Sequence, residues 1–237
     1  MNQKLTVFIT GASGVIGREI AREFLKSGWN VIAGYLTNNL FDSDPSVHSV
    51  KIDVADVESV KSVFKKIDQT YGRLDVLINA AAVVVDKLVA NMAEEDWDRV
   101  LDVNLKGVKN CSREAIGIME RQGGGHIMNF SSVSALAGRV GQANYAASKA
   151  AVIGFSQSLA REVGRLNIRV NIILPGIIFS EMTDKLHKEQ LNRLIGENVL
   201  LRTTTAEEIA RFCLFLASTQ NISGKIFQLD SRIQRWT

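Results

Sequence analysis

The sequence predicts an α/β fold in which a parallel sheet carries helices on both faces. Apolar, strand-like stretches alternate with amphipathic, helix-like stretches about seven times along the 237 residues. The strand-like stretches are apolar throughout, which is typical of strands buried on both faces of a parallel sheet. A glycine-rich turn joins the first strand to the first helix. Together these observations predict a doubly wound (Rossmann) sheet of seven parallel strands, with ligands at the carboxyl ends of the strands.

The first half of the chain predicts four strands and two helices. The strands are predicted at residues 5–10, 31–35, 47–53 and 74–79. The first helix has apolar residues at helical spacing between Ile16 and Leu25, and Gly28 can end it. The second helix follows Asp56, a favourable N-cap residue, and carries an apolar stripe over residues 60–71.

The second half predicts three more strands and three helices. The strands are predicted at residues 127–131, 168–174 and 226–229. One long helix is predicted over residues 97–119, before three consecutive glycines, and another carries apolar positions between residues 150 and 163. The last helix begins at Thr205, where the sequence Thr-Ala-Glu-Glu fits a capping box, and runs to Ala217. No linker or repeat divides the chain, so we predict a single domain over residues 1–237.

The composition argues against nucleic acid and membranes as partners. The net charge is +3 and the basic residues are scattered along the chain, so we expect no nucleic-acid site. No apolar run approaches the ~18 residues of a membrane span. The amino-terminal stretch resembles a strand rather than a signal peptide, and we expect a cytoplasmic protein.

Cysteine and histidine spacing predicts neither a disulfide nor a metal site. Cys111 and Cys213 lie in separate apolar helical stretches, and we expect both to be buried thiols. The three histidines, His48, His126 and His187, are isolated from one another and from acidic pairs. We expect them on the surface or in loops, and we expect no metal.

The glycine-rich turn spans residues 10–17, Thr-Gly-Ala-Ser-Gly-Val-Ile-Gly, between the first strand and the first helix. Glycines there permit a tight turn and a close approach of a diphosphate to the backbone. The helix amino terminus adds free N–H groups and a positive dipole end. The turn therefore predicts a dinucleotide site, although a tight turn without a ligand is an alternative.

The end of the second predicted strand bears on the choice of dinucleotide. A site selective for NAD would place an acidic residue near Tyr35, to hold the ribose hydroxyls, and none is present there. Without a carboxylate to repel a 2′-phosphate, NADP(H) is favoured over NAD(H). No arginine follows in residues 36–38 to bind that phosphate, so NAD(H) stays an alternative.

The most specific pattern is Tyr145-Ala146-Ala147-Ser148-Lys149. On a helix, the spacing of four residues places the phenol and the ammonium on one face. A nearby cation lowers the pKa of a tyrosine, which favours proton transfer. Ser132 lies thirteen residues upstream, after an apolar strand, where its hydroxyl could bond to a substrate carbonyl.

Here the sequence resembles the short-chain dehydrogenase/reductase family over nearly its whole length. The matching motifs are the glycine turn, Asp53-Val54, Asn79-Ala80-Ala81, Val103-Asn104-Leu105, Ser131-Ser132, Tyr145 with Lys149, and Pro175-Gly176. Within the family, residues 141–149 and 154–162 are most similar to 3-oxoacyl-carrier-protein reductases.

The resemblance implies a catalytic tetrad. Tyr145 would donate a proton to the carbonyl oxygen, and Lys149 would lower the pKa of Tyr145 and bind the nicotinamide ribose. Ser132 would polarise the carbonyl, and Asn104 would hold a water of the proton relay. The nicotinamide would supply the hydride.

The resemblance also implies a set of cofactor-binding residues, two of them, Tyr145 and Lys149, shared with the tetrad. Residues 180–204 would form a lid that sets substrate choice. The remaining cofactor residues would be Gly11, Ser13, Gly14, Val15, Ile16, Tyr35, Thr37, Asp53, Val54, Asn79, Ala80, Ala81, Pro175, Gly176, Ile178 and Ser180.

The sequence departs from the family pattern at several positions. The middle glycine of the turn stands at Gly14, where the family commonly has arginine, and Val15 takes the usual glycine position. The family's Asn-Asn-Ala-Gly is Asn-Ala-Ala-Ala at residues 79–82, and its Asp-Gly-Gly is Asp-Ser-Arg at residues 230–232. Of the basic residues that would bind an acyl carrier protein, Arg121 and Arg165 lie only near the expected positions.

The resemblance predicts an NAD(P)H-dependent reductase of a ketone, most specifically a 3-oxoacyl thioester of fatty acid biosynthesis, with an acyl carrier protein as a possible partner. An alcohol or polyol dehydrogenase, or a non-catalytic nucleotide-binding relative, is an alternative. The family also suggests a homotetramer packed through helices around residues 97–119 and 148–166.

Overall fold

The computed structural model describes residues 4–179 and 188–233. Its centre is one sheet of seven strands, and every neighbouring pair is parallel. The strands are β1 (Thr6–Thr10), β2 (Asn30–Tyr35), β3 (Val47–Lys51), β4 (Val76–Asn79), β5 (Gly125–Phe130), β6 (Ile168–Pro175) and β7 (Ile226–Leu229). The predicted seven-stranded parallel sheet is thus confirmed.

Helices cover both faces of this sheet, as predicted. They are α1 (Val15–Lys26), α2 (Val57–Tyr71), α3 (Glu94–Leu101), α4 (Gly107–Arg121), α5 (Ser134–Ala137), α6 (Ala143–Val163), α7 (Lys188–Gly196) and α8 (Ala206–Ser218). Helices α1 and α8 pack against one face, and α2, α4 and α6 pack against the other.

Local capping signals in the sequence explain where several helices begin and end. The Asp56 carboxylate accepts a hydrogen bond from the Glu58 N–H at 2.9 Å and caps α2. At α8, Thr205 and Glu208 form the predicted capping box. After α1, Gly28 has φ +83° and its N–H donates to the Leu25 carbonyl at 2.9 Å, which ends the helix as predicted.

The strand order β3-β2-β1-β4-β5-β6-β7 places the reversal of winding between β1 and β4. Thr10 and Asn79, the last residues of these two strands, are paired in the sheet. The connections that leave β1 and β4 therefore diverge to opposite faces and leave a crevice at their carboxyl ends. This is where a doubly wound sheet binds its ligand.

The two cysteines confirm the prediction of buried thiols. Both are fully buried, Cys111 under the α2–α4 face and Cys213 between α8 and the sheet. Burial raises the pKa of each thiol to about 12, so both stay protonated and unreactive near neutral pH.

The histidine prediction is wrong for His126. It lies on β5 and is fully buried, with its Nε2 at 2.9 Å from the Nδ2 of Asn171 on the neighbouring β6. His48 is exposed as predicted, and His187 lies outside the described residues. Strand β5 begins two residues earlier than predicted, and this brings His126 into the sheet.

The predicted long helix over residues 97–119 is interrupted. Helices α3 and α4 follow each other without a break in direction, but a π-helical turn over Asp102–Lys106 joins them. Such a turn inserts one residue into the helix and is often found at functional sites. Asn104, a predicted catalytic residue, lies in this turn.

No helix within the described ranges is long and apolar enough to cross a membrane. In the same parts of the chain, no group of three or more histidine, cysteine or acidic side chains is placed to hold a metal ion.

Candidate active site

The glycine turn after β1 has the shape that close approach of a diphosphate requires. Gly11 has φ +69°, and a Cβ there would lie 2.7 Å from the Ala81 Cα. A Cβ at Gly17 would lie 2.4 Å from the Gly11 carbonyl oxygen. Gly14 has φ −75°, within the ordinary range of any residue, and Val15 begins α1. The shifted middle glycine therefore leaves the turn intact, because the constraints fall on Gly11 and Gly17.

Thr10 holds the two sides of the crevice together. Its hydroxyl accepts hydrogen bonds from the backbone N–H groups of Ala80 and Ala81, at 3.2 and 3.3 Å. This fixes the segment after β4 beside the glycine turn of β1. The sequence analysis used Thr10 only as part of the turn motif and missed this role.

Asn79 supports the crevice from below rather than facing it. Its side-chain amide is buried and donates to the Asn129 Oδ1 at 2.8 Å and to the Ser112 hydroxyl at 3.3 Å. The Asn129 amide in turn donates to Ser156 at 2.8 Å. Because these bonds occupy the Asn79 side chain, only its backbone can make the predicted contact with the cofactor.

One cleft of about 790 Å³ runs from the glycine turn to Tyr145. It brings together most of the residues predicted to bind cofactor. Those lining it are Gly11, Ser13, Gly14, Val15, Ile16, Tyr35, Thr37, Asp53, Val54, Ala80, Ala81, Tyr145, Pro175, Gly176 and Ile178. Ser132, predicted to be catalytic, also lines the cleft, whereas Asn79 and Lys149 do not. Ser180 and the first part of the predicted lid lie outside the described residues, and within the rest of it α7 places Leu194 against the cleft.

The β2 end of the cleft is neutral except for Asp53. The Asp53 carboxylate accepts from the Ala55 N–H at 2.9 Å, and the Val54 carbonyl accepts from the Asn110 amide at 3.0 Å. The Ser13 hydroxyl donates to the Asn38 carbonyl and ties the glycine turn to the loop after β2. Among the described residues, no lysine or arginine lines this end.

Tyr145 and Ser132 line the opposite end of the cleft from Tyr35, and Pro175 and Gly176 line the same cleft. The Ser134 N–H donates to the Ser132 Oγ at 3.1 Å. This leaves the Ser132 proton available for donation, and the hydroxyl is near enough to the phenol to lower the pKa of Tyr145. A substrate carbonyl oxygen placed between the two hydroxyls would receive both hydrogen bonds.

The pKa of Tyr145 is raised, and the cause is burial of the phenol. The hydrogen bond from Ser132 and the charge of Arg139 lower it, and the charge of Asp86 raises it further. The lowering by Lys149 that the resemblance implied is not among these effects. The phenol is therefore protonated near neutral pH, as a proton donor must be.

Lys149 lies behind the tyrosine rather than in the open cleft. It is 3% exposed, its Nζ is 5.8 Å from the centre of the Tyr145 ring, and it donates to the Phe130 carbonyl at 2.8 Å. Ser131 fixes its backbone by donating to the Lys149 carbonyl at 2.7 Å. Burial lowers the pKa of Lys149 to about 8. A ribose hydroxyl would supply hydrogen-bond partners for this amine.

Asn104 faces the same buried region from the π-helical turn. Its amide donates to the Val83 carbonyl at 3.0 Å and to the Ser148 hydroxyl at 3.1 Å. Ser148 lies between Tyr145 and Lys149 on α6, and its hydroxyl donates to the Tyr145 carbonyl at 2.8 Å. The four predicted catalytic residues are thus brought to one place, with Asn104 joined to the others through Ser148.

Several charged or polar residues at this end were missed by the sequence analysis. Arg139 lies six residues before Tyr145, and nothing in the sequence pattern singled it out. Arg232 stands where the family pattern has a glycine, and this departure was the signal that could have identified it. Four polar residues not predicted to bind here line the substrate end of the cleft: Asp86, Arg139, Gln142 and Arg232.

A dinucleotide crevice that leads to a Ser-Tyr-Lys site defines an oxidoreductase that uses a nicotinamide cofactor. The glycine cradle, which a Cβ would fill, fits the diphosphate, and the buried Lys149 amine fits the ribose. A model of the short chain dehydrogenase family matches residues 5–191. The chain belongs to this family.

The chain is also similar over nearly its full length to curated reductases. It is 40% identical to the 3-oxoacyl-(acyl-carrier-protein) reductase FabG of Thermotoga maritima over 236 residues, which is 94% of each chain. FabG of Staphylococcus aureus is 39% identical over 241 residues, covering 97% of this chain and 98% of the relative. FabG of Chlamydia muridarum is 40% identical over 233 residues and 94% of each chain. The protein is therefore FabG-like within the short-chain dehydrogenases.

Proposed function

We propose that the protein reduces the ketone of 3-oxoacyl thioesters to an alcohol, with NADPH favoured over NADH. The observation that carries this proposal is the convergence of Ser132, Tyr145 and Lys149 at the end of a dinucleotide cleft. The FabG relatives, similar over nearly their full length, support the 3-oxoacyl substrate class.

The side chains divide the reaction among them. The nicotinamide, when bound, supplies the hydride to the carbonyl carbon. Ser132 donates a hydrogen bond to the carbonyl oxygen and thereby stabilises the negative charge that develops on it. Tyr145 gives its phenolic proton to that oxygen, and its raised pKa ensures that the proton is present.

Lys149 acts chiefly on the ribose. Its buried amine lies 5.8 Å from the Tyr145 ring centre, and its charge is not among the causes that shift the pKa of Tyr145. We propose that Asn104 holds a water near Lys149 that returns a proton from solvent to the tyrosine. Both Asn104 amide protons are donated, to Val83 and Ser148, so Asn104 would hold this water through an oxygen that accepts a hydrogen bond from it.

The acyl thioester would be carried by an acyl carrier protein, a partner with an acidic surface. Of the two basic residues near the expected docking positions, Arg121 is bound to Asp68 at 2.6 Å, and Arg165 is exposed after α6. We further propose a homotetramer packed through α4 and α6. The unpaired thiols fit a reducing compartment, and we propose the cytoplasm.

The direct test is oxidation of NADPH with acetoacetyl thioester, against oxidation of simple alcohols and polyols with NADP⁺. Turnover of the thioester alone supports the proposal. Faster oxidation of alcohols would favour the alcohol dehydrogenase alternative. Cofactor binding without turnover across both panels would favour the non-catalytic one.

The mechanistic test is Tyr145→Phe, with Tyr71→Phe as the matched control outside the cleft. Loss of the proton donor should lower kcat by about 10²–10⁴-fold and leave NADPH affinity near normal. Tyr71→Phe should retain activity. A fully active Tyr145→Phe protein would contradict the mechanism.

A further inference from the structure

Among the described residues, Arg139 has no direct hydrogen-bond or ion-pair partner, although it lies at the substrate end of the cleft. It lines the cleft, is partly buried, and has no hydrogen bond or ion pair within residues 4–179 and 188–233. Its charge is nevertheless close enough to lower the pKa of Tyr145. An unpaired, partly desolvated cation beside the catalytic tyrosine is unfavourable unless an anion binds there.

The loop that carries Arg139 is held in place by its neighbours. It lies between Gly138 and Gly141, both with positive φ. The Lys87 N–H donates to the Gly141 carbonyl at 2.9 Å, and the Gln142 amide donates to Asp86 at 3.1 Å. These bonds fix the loop against the segment after β4, so Arg139 is presented to the cleft by a defined backbone.

Arg232 lies on the same cleft wall but is already neutralised. Its side chain is 6% exposed and is bound to Asp230 and, at 3.4 Å, to Glu197. The positive charge of Arg232 lowers the pKa of Arg139, and only the burial of Arg139 lowers that pKa more. The charges of Glu197 and, to a lesser extent, Asp86 raise the pKa of Arg139, but among the described residues neither carboxylate makes an ion pair with it.

We infer that Arg139 binds a carboxylate carried by the substrate, on the acyl side of the ketone that Tyr145 protonates. Arg232, neutralised by Asp230 and Glu197, lines the same wall and leaves Arg139 to supply the charge of this subsite. The inference rests on the proposed function and narrows its substrate class to 3-oxoacyl thioesters with a terminal carboxylate. We place the anion on the acyl chain rather than on a distant phosphate of the carrier arm, because Arg139 lines the same cleft as Tyr145 and its loop leads directly into the first turn of α6, where Tyr145 lies.

The test compares two thioesters of N-acetylcysteamine, which carries no phosphate. One is the 3-oxohexanoyl thioester, and the other has the terminal methyl group replaced by a carboxylate. The measured quantity is the ratio of kcat/KM for the charged and the neutral substrate. Any general effect of a variant on Tyr145 cancels in this ratio, because both substrates use the same proton donor.

Wild-type protein should favour the charged substrate, and Arg139→Gln should lower the ratio by about tenfold or more, through KM. Arg139→Lys should retain part of the preference. Lys66→Gln, which removes one charge from the exposed face of α2, should leave the ratio unchanged. Equal ratios in wild type and Arg139→Gln would overturn the inference while leaving the proposed function standing.

Two further measurements distinguish binding of the carrier-arm phosphate from binding of the acyl carboxylate, and failure of the subsite from failure of the proposed function. If Arg139→Gln slows coenzyme A thioesters but not the carboxylated N-acetylcysteamine thioester, Arg139 binds the carrier-arm phosphate and the inference is wrong. If neither thioester is turned over, the proposed function fails. In that case, calorimetry of adipate binding with NADP⁺ present tests the subsite by itself. About tenfold weaker binding to Arg139→Gln than to wild type supports the subsite, and equal binding refutes it.

Discussion

The side chain of Asn104 is bonded to both backbone groups of Val83: its Oδ1 accepts from the Val83 N–H at 2.8 Å and its Nδ2 donates to the Val83 carbonyl at 3.0 Å. This pair of bonds resembles the pairing of two strands. It joins the π-helical turn to the segment that leaves β4 and runs along the cleft to Asp86. Asn104 therefore positions the wall of the cleft as well as facing the tetrad.

We expect Asn104→Ala to affect both stability and the chemical step. Two backbone groups of Val83 lose their partners, at a cost of about 1–3 kcal/mol. Ser148, which lies between Tyr145 and Lys149, also loses a hydrogen bond. The fold-decrease in kcat should therefore exceed the fold-increase in the KM for cofactor. Chemical denaturation and steady-state kinetics measure the two effects.

Asn110→Ala is the matched control, since Asn110 lies on α4 and its replacement removes one amide hydrogen bond to the Val54 carbonyl. It should lower stability and raise the KM for cofactor without slowing the chemical step. An Asn104→Ala protein with normal kcat would show that Asn104 is a structural residue only.

The glycine turn allows a sharp comparison between Gly17 and Gly14. Alanine at position 17 would place a Cβ 2.4 Å from the Gly11 carbonyl oxygen, and the turn would have to open. NADPH affinity should fall about tenfold or more, with about 1–3 kcal/mol of stability lost. Alanine at position 14 would place its Cβ 3.4 Å from the same oxygen, with an ordinary φ.

We therefore expect Gly14→Ala to bind NADPH nearly as well as wild type. Titration of cofactor fluorescence and thermal melting measure both variants. Loss of binding in Gly14→Ala, with Gly17→Ala unaffected, would mean that the bound turn differs from the one described.

Tyr35, at the end of β2, provides a test of cofactor preference. It lines the neutral end of the cleft, where a carboxylate would accept hydrogen bonds from ribose hydroxyls and repel a 2′-phosphate. Tyr35→Asp should shift the ratio of NADPH to NADH affinity by about tenfold or more toward NADH. Parallel titrations with both cofactors measure the shift, and Tyr35→Phe is the uncharged control. Wild-type protein that binds NADH more tightly would overturn the preference itself.

The sequence was sufficient to predict the sheet and to bring Tyr145 and Lys149 together, because both depend on local patterns. Apolar runs define the strands, and Tyr145 and Lys149 meet through helical spacing alone. The π-helical turn at Asn104 was not predictable in this way, since its extra residue depends on tertiary contacts with Val83. Arg139 and Arg232 are separated by more than ninety residues, and only the fold brings them to one wall.

The error at His126 has a specific cause. The apolar run that marks β5 begins at Ile127, so the pattern predicts that the preceding histidine lies on the surface or in a loop. In the structure Gly125 and His126 pair with Ile168 and Arg169 of β6, and the strand begins earlier. An apolar pattern cannot predict that a single polar residue belongs to the end of a strand.

The burial of His126 predicts acid sensitivity. Burial, with a smaller effect from the Arg169 charge, lowers the pKa of the imidazole to about 3. An unfolded chain would bind a proton near pH 6.5, where the folded protein does not. Stability contributed by the neutral imidazole is therefore fully present above pH 6.5 and is lost as the pH falls toward 3, by up to about 5 kcal/mol.

His126→Gln should remove this part of the pH dependence, because glutamine stays neutral and can accept the bond from the Asn171 amide. The free energy of unfolding, measured in urea between pH 7.5 and 4, should fall less steeply in the variant than in wild type. His48→Gln is the control, since His48 is exposed and its replacement should leave the slope unchanged. Parallel slopes for wild type and His126→Gln would mean that other groups set the acid limit of the fold.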